Sequence, residues 1–342
     1  MTIMIGIDPH KATHTAVAVD NDENVLDELK VRASSVQAQR LRSWAEQFDQ
    51  PQWAVESAHG LGYLLAQQLV ACGEKVFDVP PMLASRVRVL GSGRSQKNDP
   101  NDARAVAIAA LRSGRLARVV PDDHSRVLRL VVKRHRDMAQ LRAKHCTRLH
   151  ALLLELEAGG ISATISVNKA IRLIDTVPVT DEVTRQRVVI ARELVDDIDR
   201  LDHTLKASKQ RVAAAVAASG TTLCDIYGIG PICAATIIGY TGDVARFATR
   251  GHFASYNATA PIEASSGGRT RHRLNLRGNR RLNHAIHIAA ICQIRSRSEG
   301  RTYYDRKIAE GKTHREAVRA LKRRISDRVY QHLVTDARTR IT

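Results

Sequence analysis

The order of strands and helices in the first third of the chain constrains its fold more than any other feature of the sequence. Residues 3–32 contain three stretches, "IMIGID", "HTAVAVD" and "VLDELKVRA", in which apolar and polar side chains alternate. Alternation with a period of two residues predicts β-strands, and the short polar segments between these stretches predict tight connections. The sequence therefore begins with three consecutive predicted strands.

Helices and strands then alternate up to about residue 118. Ser34 or Ser35 would cap a first helix, and "QWAVES" predicts a fourth strand. "LGYLLAQQLVACG" predicts a helix ended by Gly73, and "KVFDVP" predicts a fifth strand ended by proline. A loop, "GSGRSQ", precedes the last helix of this region. Three strands followed by this alternation predict a ribonuclease-H-like α/β domain.

The charge of the chain points to a polyanionic partner. It has 53 Lys and Arg residues against 35 Asp and Glu residues, a formal net charge of +18 that is spread along the sequence. Such an excess favours nucleic acid through contacts with phosphates. No apolar run approaches the ~18 residues that span a bilayer, and no signal peptide is recognisable. We therefore expect a cytoplasmic protein with no membrane partner.

Two other compositional features narrow the possibilities. The 5 cysteines are scattered and lack the spacing of a zinc site, so we interpret them as buried thiols. Aromatic residues make up only 4% of the chain, which argues against a surface that binds single strands by base stacking. Recognition of nucleic acid would then depend on arginine and lysine.

The middle of the chain is predicted to contain two long helices. Apolar residues recur at spacings of three and four between Ser125 and Glu157 and again from Leu194 to Val212. A solvated spacer is one explanation, but the regular stripes favour a coiled coil that joins subunits. We thus predict three regions: a ribonuclease-H-like domain at 1–118, a helical coiled-coil linker at 119–216, and a mostly helical C-terminal domain at 217–342.

Four acidic residues fall at positions that this fold would bring together. Asp8 ends the first strand, Glu56 ends the fourth, and Asp99 and Asp102 lie in the first turn of the last helix. The first and fourth strands are neighbours in a ribonuclease-H-like sheet, and helical residues three apart share a face. Clustered carboxylates repel one another unless a cation neutralises them. Two Mg²⁺ ions about 4 Å apart would do so and would also support chemistry at phosphorus.

Each of these acids also has a purely structural explanation. Asp99 precedes Pro100 and is a good helix N-cap, while Asp102 in the first turn suits the helix dipole. Asp8 before a proline suits a turn, and Glu56 could be an exposed acid at the end of a strand. The shared position of all four in one fold is what favours the catalytic interpretation.

Three motifs in this order resemble a known family. "GIDPHKATHTAVAVD", "VES" with "GLGYLLAQQL", and "KNDPNDARAVAIA" are similar to the acidic motifs of the DEDD transposases of the insertion-sequence one-ten family, relatives of the Piv invertase with a RuvC-like catalytic domain. The resemblance implies that Asp8, Glu56, Asp99 and Asp102 form a Mg²⁺-binding tetrad. It also implies a bacterial, nucleoid-associated enzyme that acts on DNA and is guided by a noncoding bridge RNA.

The C-terminal region contains a glycine motif with two possible roles. "IYGIGPICAATIIG" resembles a helix-hairpin-helix element, in which Gly228 and Gly230 would offer backbone N–H groups and a helix N-terminus to a phosphate. A glycine turn that only packs two helices together is an equally good explanation of the same residues.

The segment "EASSGGRTRHRLNLRGNRRLNHAIH" combines serines with a dense set of basic residues. By itself its Ser-Ser-Gly-Gly stretch reads as a flexible loop. The family resemblance implies that Ser266, the serine directly before Gly267, is a covalent nucleophile, with Ser265 as the alternative. The arginines that would bind phosphate and take up developing charge are Arg269, Arg271, Arg273, Arg277, Arg280 and Arg281.

One position departs from the family pattern, and several histidines lie near the motifs. The family's "AGLAP"-like segment reads "NATAP" here, so Ala258 stands where glycine is expected. His10, His14, His59 and His272 could transfer protons, but hydrogen bonding or packing explains them equally well, and we assign none of them a catalytic role.

These features lead to one function and two alternatives. The resemblance implies a transposase or site-specific recombinase that excises and inserts its own insertion sequence. The acidic tetrad and Ser266 would form a composite site whose halves come from different subunits of a dimer or tetramer. The first alternative is a RuvC-like junction nuclease that uses metal-activated water. The second is a nucleic-acid-binding protein without catalysis.

Overall fold

The computed structural model of this protein describes residues 3–92, 98–114, 116–161, 165–263, 272–273, 275 and 277–339. The chain divides into two compact units, 1–122 and 123–342. The predicted boundary at 118 lies close to this division. The second predicted boundary, at 216, falls inside the second unit, so the division into three domains stays a prediction.

A six-stranded mixed sheet forms the centre of the first unit. Its strands follow the order β3-β2-β1-β4-β5-β6. β1 pairs antiparallel with β2, β2 pairs antiparallel with β3, and β4 and β5 extend the sheet in parallel with β1. This arrangement confirms the predicted ribonuclease-H-like fold. The strands are β1 Met4–Pro9, β2 Thr13–Val19, β3 Val25–Arg32, β4 Gln52–Glu56, β5 Val76–Val79 and β6 Ala117–Arg118.

Helices cover both faces of this sheet because its central strands carry apolar side chains on both faces. They are α1 Gln37–Ala45, α2 Tyr63–Ala71, α3 Pro81–Ser92 and α4 Asp99–Arg112. Ile5 and Ile7 of β1 point to one face, where they join a core that includes Leu65 and Leu69 of α2. Met4 belongs to a separate core on the other face, built around the alanine-rich helix α4. Successive residues of a strand alternate between faces, so one strand serves both cores.

Gly6 lets α4 approach β1 more closely than any other residue would. A Cβ atom at this position would lie 2.2 Å from the carbonyl oxygen of Ala103 and 2.4 Å from the amide nitrogen of Ala107. Both atoms belong to the backbone of α4, so a side chain could not be admitted by a rotamer change. The absence of a side chain at Gly6 therefore fixes the distance between the helix and the strand.

Three local predictions for the first unit need correction. Val36, not Ser34 or Ser35, occupies the N-cap of α1, and no side chain caps this helix. The oxygen of Gln37 instead accepts from the backbone amide of Ser34, at 3.3 Å. Helix α3 and strand β6 were not predicted. Two arginines interrupt the apolar pattern of α3, and β6 has only two residues.

The second unit is mostly helical, as predicted for the C-terminal region. Short 3₁₀ turns lie at Leu223–Asp225 and Val244–Arg246, and a two-stranded ladder pairs β7 Ile262–Glu263 with β8 His272–Arg273. Its helices are α5 His124–Leu156, α6 Val167–Thr176, α7 Glu182–Ala218, α8 Pro231–Thr241, α9 Arg250–Tyr256, α10 Arg280–Arg295, α11 Glu299–Ala309 and α12 His314–Thr339.

The two long helices α5 and α7 pack against each other within the chain. Leu149 and Leu153 of α5 share a core with Val195 and Ile198 of α7. Polar contacts join the same helices, since the Arg142 guanidinium pairs with the Asp202 carboxylate. Much of the predicted apolar stripe is thus buried inside one chain. A coiled coil between subunits stays a prediction.

Helices α8, α10 and α12 form the main core of the second unit. Ile237 of α8, Ile286 of α10 and Val329 of α12 are all fully buried there. No helix in the described part of the chain is both long enough and apolar enough to cross a membrane.

Candidate active site

Asp8 and Glu56 meet at one edge of the sheet because their strands are parallel neighbours. Ile7 of β1 is in register with Val55 of β4, so the next residues along the two strands are Asp8 and Glu56. The two carboxyl groups lie close enough for each to influence the charge of the other. Asp8 is buried, whereas Glu56 is partly exposed. The predicted neighbourhood of the first and fourth strands is therefore present.

The first turn of α4 brings the other two acids to the same edge. Asp99 and Asp102 lie three residues apart in this turn, and both interact electrostatically with Asp8. Asp99 is not the N-cap, which corrects one structural explanation from the sequence. Asn98 caps α4 by accepting from the amide of Asn101, at 2.9 Å. The Asp99 carboxylate is consequently directed to other partners.

His10 joins this cluster, which the sequence did not establish. Ligand atoms of Asp8, His10 and Asp99 all lie within 4.8 Å of one another, and His10 Nδ1 is 3.6 Å from the Asp8 carboxylate. The tight turn between β1 and β2 holds His10 in place, since its amide donates to the carbonyl of Thr13 at 2.9 Å. The signal available in the sequence was the position of His10, two residues after Asp8.

The carboxyl groups of the cluster differ in their affinity for protons. Burial is the main cause that raises the pKa of Asp8, and Asp102 and Asp99 raise it further. Burial likewise raises the pKa of Glu56, and the charge of Asp8 adds to the shift. The pKa of Asp99 is lowered instead, mainly because Lys30 donates a hydrogen bond to it. The buried part of the cluster therefore holds more negative charge than its surroundings neutralise.

Two basic residues from other elements contact the cluster and were missed in the sequence. Lys30 of β3 pairs with Asp99 at 2.8 Å, and Arg88 of α3 pairs with Asp102 at 2.6 Å. Lys30 lies in the third predicted strand, whose pattern was used only to assign secondary structure. Arg88 lies on α3, a helix that was not predicted. A basic residue on the face of α3 that packs against α4 was the signal that could have identified Arg88.

The donor set of this cluster fits a divalent cation. Its carboxylate oxygens are the ligands that Mg²⁺ and Mn²⁺ prefer, and an imidazole nitrogen lies beside them. Burial and mutual repulsion disfavour the ionised acids, and a divalent cation would relieve both effects. The arrangement is suited to holding a divalent cation.

Comparison with protein families settles the relationship of the chain. A family model for DEDD transposases of the IS110 type, described as "Transposase", matches residues 5–157. A second model, described as "Transposase IS116/IS110/IS902 family", matches residues 220–305. The chain belongs to this transposase family. The two matched regions together include more than two thirds of the chain and contain all four clustered acids.

Curated relatives of this transposase come from other insertion elements. A 44.8 kDa protein of insertion element IS116 from Streptomyces clavuligerus is 28% identical over 95% of this chain and 93% of its own length. A 42 kDa protein of insertion element IS900 from Mycobacterium paratuberculosis is 28% identical over 94% of this chain and 93% of its own length. A 43.6 kDa protein of insertion element IS110 from Streptomyces coelicolor is 39% identical, but this match covers only 30% of this chain and 26% of the relative.

Among solved structures, the transposase is similar to RuvC from Thermus thermophilus. RuvC in complex with a Holliday junction substrate shares 21% identity and a TM-score of 0.28, over 35% of this chain and 100% of RuvC. A second RuvC structure is 21% identical, with a TM-score of 0.27, over 34% of this chain and 99% of RuvC.

The proposed nucleophile of the transposase cannot be placed in the fold. Ser265, Ser266, Arg269 and Arg271 lie outside the described residues, and only the backbone of Arg273 is described, in β8. Arg277 precedes α10, and Arg280 and Arg281 begin it; all three are exposed. The three described arginines therefore lie close together in sequence at the start of one helix.

The glycine turn of the second unit packs helices together at Gly228. This residue has a φ of +87°, and a Cβ atom there would lie 2.8 Å from the carbonyl oxygen of Ala289 in α10. The segment ahead of the turn is only a 3₁₀ turn, Leu223–Asp225. Gly230 is exposed at the N-cap of α8, with open space around it. Packing thus explains Gly228, and a phosphate contact by Gly230 stays a prediction.

Ala258 adopts a backbone conformation that glycine prefers. Its φ is +59°, in the left-handed region, at the position where the family pattern has glycine. The buried Asn257 holds this turn, because its Oδ1 accepts from the amide and the hydroxyl of Thr259 at 3.1 and 2.7 Å. A left-handed alanine costs about 1–2 kcal/mol. The turn is kept by its surroundings despite that strain.

We expect Ala258→Gly to stabilise the second unit. Relief of the left-handed strain outweighs the extra chain entropy that glycine gives the unfolded state, for a net gain of about 0.5 kcal/mol. The thermal midpoint, followed by far-UV circular dichroism, would rise by about 1–2 °C for a unit of this size. Ala258→Val is the matched control and should lower the midpoint, because β-branched residues tolerate this region least. A lower midpoint for the glycine variant would contradict the strain argument.

Proposed function

We propose that this transposase cleaves and rejoins DNA at the ends of its own insertion sequence, through a metal-assisted step and a covalent serine intermediate. The observation that carries the proposal is the convergence of Asp8, Glu56, Asp99 and Asp102 at one sheet edge, in a chain of a transposase family. The net charge of +18 supports a nucleic-acid substrate.

The acidic residues would position the cation and the scissile phosphate. Asp8, Glu56, Asp99 and Asp102 are proposed to hold Mg²⁺, as two ions, and His10 lies close enough to act as a further ligand. Bound Mg²⁺ would supply positive charge for the phosphate oxygens and the leaving oxygen. Lys30 and Arg88 keep the Asp99 and Asp102 side chains oriented through their ion pairs.

Ser266 would form the covalent link to DNA. Its Oγ atom attacks phosphorus, a phosphorus–oxygen bond to Oγ forms, and the bond to the departing deoxyribose oxygen breaks. The serine proton goes to a base or to water, and the departing oxygen takes up a proton. Rejoining reverses these steps with a different strand end. The arginines after Ser266 would stabilise the charge that develops on the phosphate.

Sequence choice and assembly complete the proposal. A noncoding bridge RNA would pair with donor and target DNA, so that base pairing selects the sites; a comparable division between guide and protein is known for other nucleases. The active complex would be a dimer or tetramer. Association with the bacterial nucleoid would follow from DNA binding by a strongly basic chain.

The experiment uses the full chain, labelled DNA that carries the element's ends, RNA transcribed from the adjacent noncoding segment, and Mg²⁺. We expect an adduct of protein and DNA that survives denaturation. Ser266→Ala should reduce this adduct at least about 100-fold, because it removes the nucleophile. Ser265→Ala is the matched control and should form it normally.

Other outcomes of this assay would support a different nucleophile or one of the two alternative functions. An adduct lost only in Ser265→Ala would move the nucleophile by one residue. Strand cleavage in both serine variants without any adduct would contradict the covalent step and support the nuclease that uses water. Binding to DNA that is unaffected by chelation of divalent cations, with no cleavage, would support a protein that only binds nucleic acid.

A further inference from the structure

A basic cleft of about 1000 Å³ lies in the second unit, between the segment that follows α9 and the helices α10 and α12. Its lining includes residues 258–261 and Gly278. The basic side chains that line this cationic cleft are Arg280, His284, His287, Arg319, Lys322 and Arg323. None of the described residues that line it is an aspartate or a glutamate.

Lys322 provides the inner positive charge of the cationic cleft. It is partly buried, and its Nζ donates to Oδ1 of Asn283 at 2.7 Å, a neutral acceptor. Among the described residues, no carboxylate pairs with Lys322. Burial lowers its pKa, and the nearby Lys322 charge helps to lower the pKa of His287, for which burial is the main cause. An anion in the cleft would relieve both effects.

Not all of the positive charge in the cleft is equally available. Arg323 pairs with Asp327, four residues further along α12, at 3.1 Å. Arg319 and Arg280 are exposed at the rim. Positive charge therefore extends from the exposed Arg319 and Arg280 to the partly buried Lys322, as contact with a chain of phosphates would require.

The size and chemistry of the cleft suit a single strand of nucleic acid. Its volume is in the range of sites for small ligands, about 300–1000 Å³, which is too small for a duplex. Phenylalanine, tyrosine and tryptophan are absent from its described lining, so bases would not be held by stacking on aromatic rings. Contact would depend on the charged backbone.

The position of the cleft links it to the serine segment. Residues 258–261 directly precede β7, and Asn275 and Gly278 shortly follow β8. β7 and β8 pair with each other, so both ends of the segment that contains Ser266 start from this region. We propose that the cationic cleft binds backbone phosphates of a single nucleic-acid strand, with Lys322 as the inner contact. The identity of this ligand rests on the proposed function.

Binding of short probes to the full chain tests this site. The probe is a fluorescent hexathymidylate, compared with the same hexamer carrying neutral methylphosphonate linkages and with hexauridylate. We expect Lys322→Gln to weaken binding of the charged hexamer about tenfold, the effect of one charged hydrogen bond. The slope of log Kd against the logarithm of the salt concentration should become smaller by about 0.7. This change corresponds to the loss of one phosphate contact with a single strand. Arg319→Gln should produce the same kind of loss.

Two control variants and a second cleft variant accompany Lys322→Gln. Lys206→Gln removes an exposed lysine from α7 and should leave the affinity unchanged. Lys322→Arg keeps the charge and should retain most of the affinity for the charged hexamer. Circular dichroism would show whether each variant is folded. Arg319→Gln tests the same cleft from an exposed position, should Lys322→Gln fail to fold.

The outcomes separate the possible ligands. Tighter binding of the deoxyribose hexamer assigns the cleft to a DNA strand, and tighter binding of the ribose hexamer assigns it to the RNA. Equal binding of charged and neutral hexamers, or unchanged affinity in both cleft variants, would overturn the inference. Hexamer binding needs neither a metal ion nor the serine, so its failure is distinguishable from failure of the covalent-adduct assay.

Discussion

We expect Asp8→Asn to abolish DNA cleavage while making the first unit more stable in the absence of divalent cations. Loss of a proposed cation ligand would remove several kcal/mol of transition-state stabilisation, which corresponds to about a 10²–10⁴-fold lower rate. Stability should rise because burial disfavours the ionised Asp8 carboxylate and because Asp102 and Asp99 repel it. Such a result would mean that Asp8 serves function at a cost to the stability of the fold.

The same variant should change how stability depends on pH. Burial raises the pKa of Asp8 and of Glu56 in the folded chain, so the folded state binds protons more tightly than the unfolded state at these two sites. Their contribution therefore becomes more favourable as the pH falls from neutral through the folded pKa. Asp99 acts in the opposite direction, because its lowered pKa makes its contribution decline as the pH falls. Asp8→Asn should therefore reduce the stability that the first unit gains as the pH falls.

Tryptophan fluorescence can measure this effect in the intact protein. Both tryptophans, Trp44 and Trp53, lie in the first unit, so urea unfolding followed by their emission reports that unit alone. Asp49→Asn makes the same chemical change at an exposed position and serves as the control. Unchanged cleavage by Asp8→Asn, or a loss of stability equal at pH 5 and pH 7, would contradict our assignment of Asp8.

The second large effect is expected from Gly6→Ala. The new Cβ atom would overlap the backbone of α4 at Ala103 and Ala107, so the helix must move away from β1. Such overpacking costs about 1–3 kcal/mol and more where, as here, backbone atoms are in the way. The shift would carry Asp99 and Asp102 away from Asp8, and a displacement of about 1 Å can reduce a rate about 10²-fold.

Gly114→Ala is the matched control for this substitution. No atom lies within 4 Å of the position that its Cβ would take, so its unfolding free energy should change by less than about 0.5 kcal/mol. Tryptophan emission during urea unfolding gives the stability, and cleavage of element-end DNA gives the rate. If Gly6→Ala unfolds and cleaves as the parent does, the close packing of α4 on β1 does not position the acids.

Much of the first unit was accessible from the sequence because its signals are local. The strand patterns in residues 3–32 and the glycine that ends α2, Gly73, are properties of short segments. The positions of Asp8 and Glu56 followed from one topological rule, the neighbourhood of the first and fourth strands. Both acids lie at that sheet edge in the structure.

The features that were missed have either an ambiguous local signal or a dependence on tertiary contacts. Asn98 rather than Asp99 caps α4, and two adjacent polar residues that can both cap a helix look alike in a sequence. Arg88 meets Asp102 only because α3 packs beside α4, and α3 itself was not recognised. The basic cleft draws its side chains from α10 and α12, which are separated by a further helix, so no local pattern could predict it.

The separate apolar interiors of the two units have a consequence for how the protein could be taken apart. The acids belong to a unit whose apolar interior is its own, while the serine segment belongs to the sequence of the other unit. On the function proposed above, each half would carry an incomplete set of reactive groups, and neither would open DNA and hold its end by itself. A polypeptide severed between residues 122 and 123 would be a split enzyme, whose activity could be switched on by bringing its fragments together.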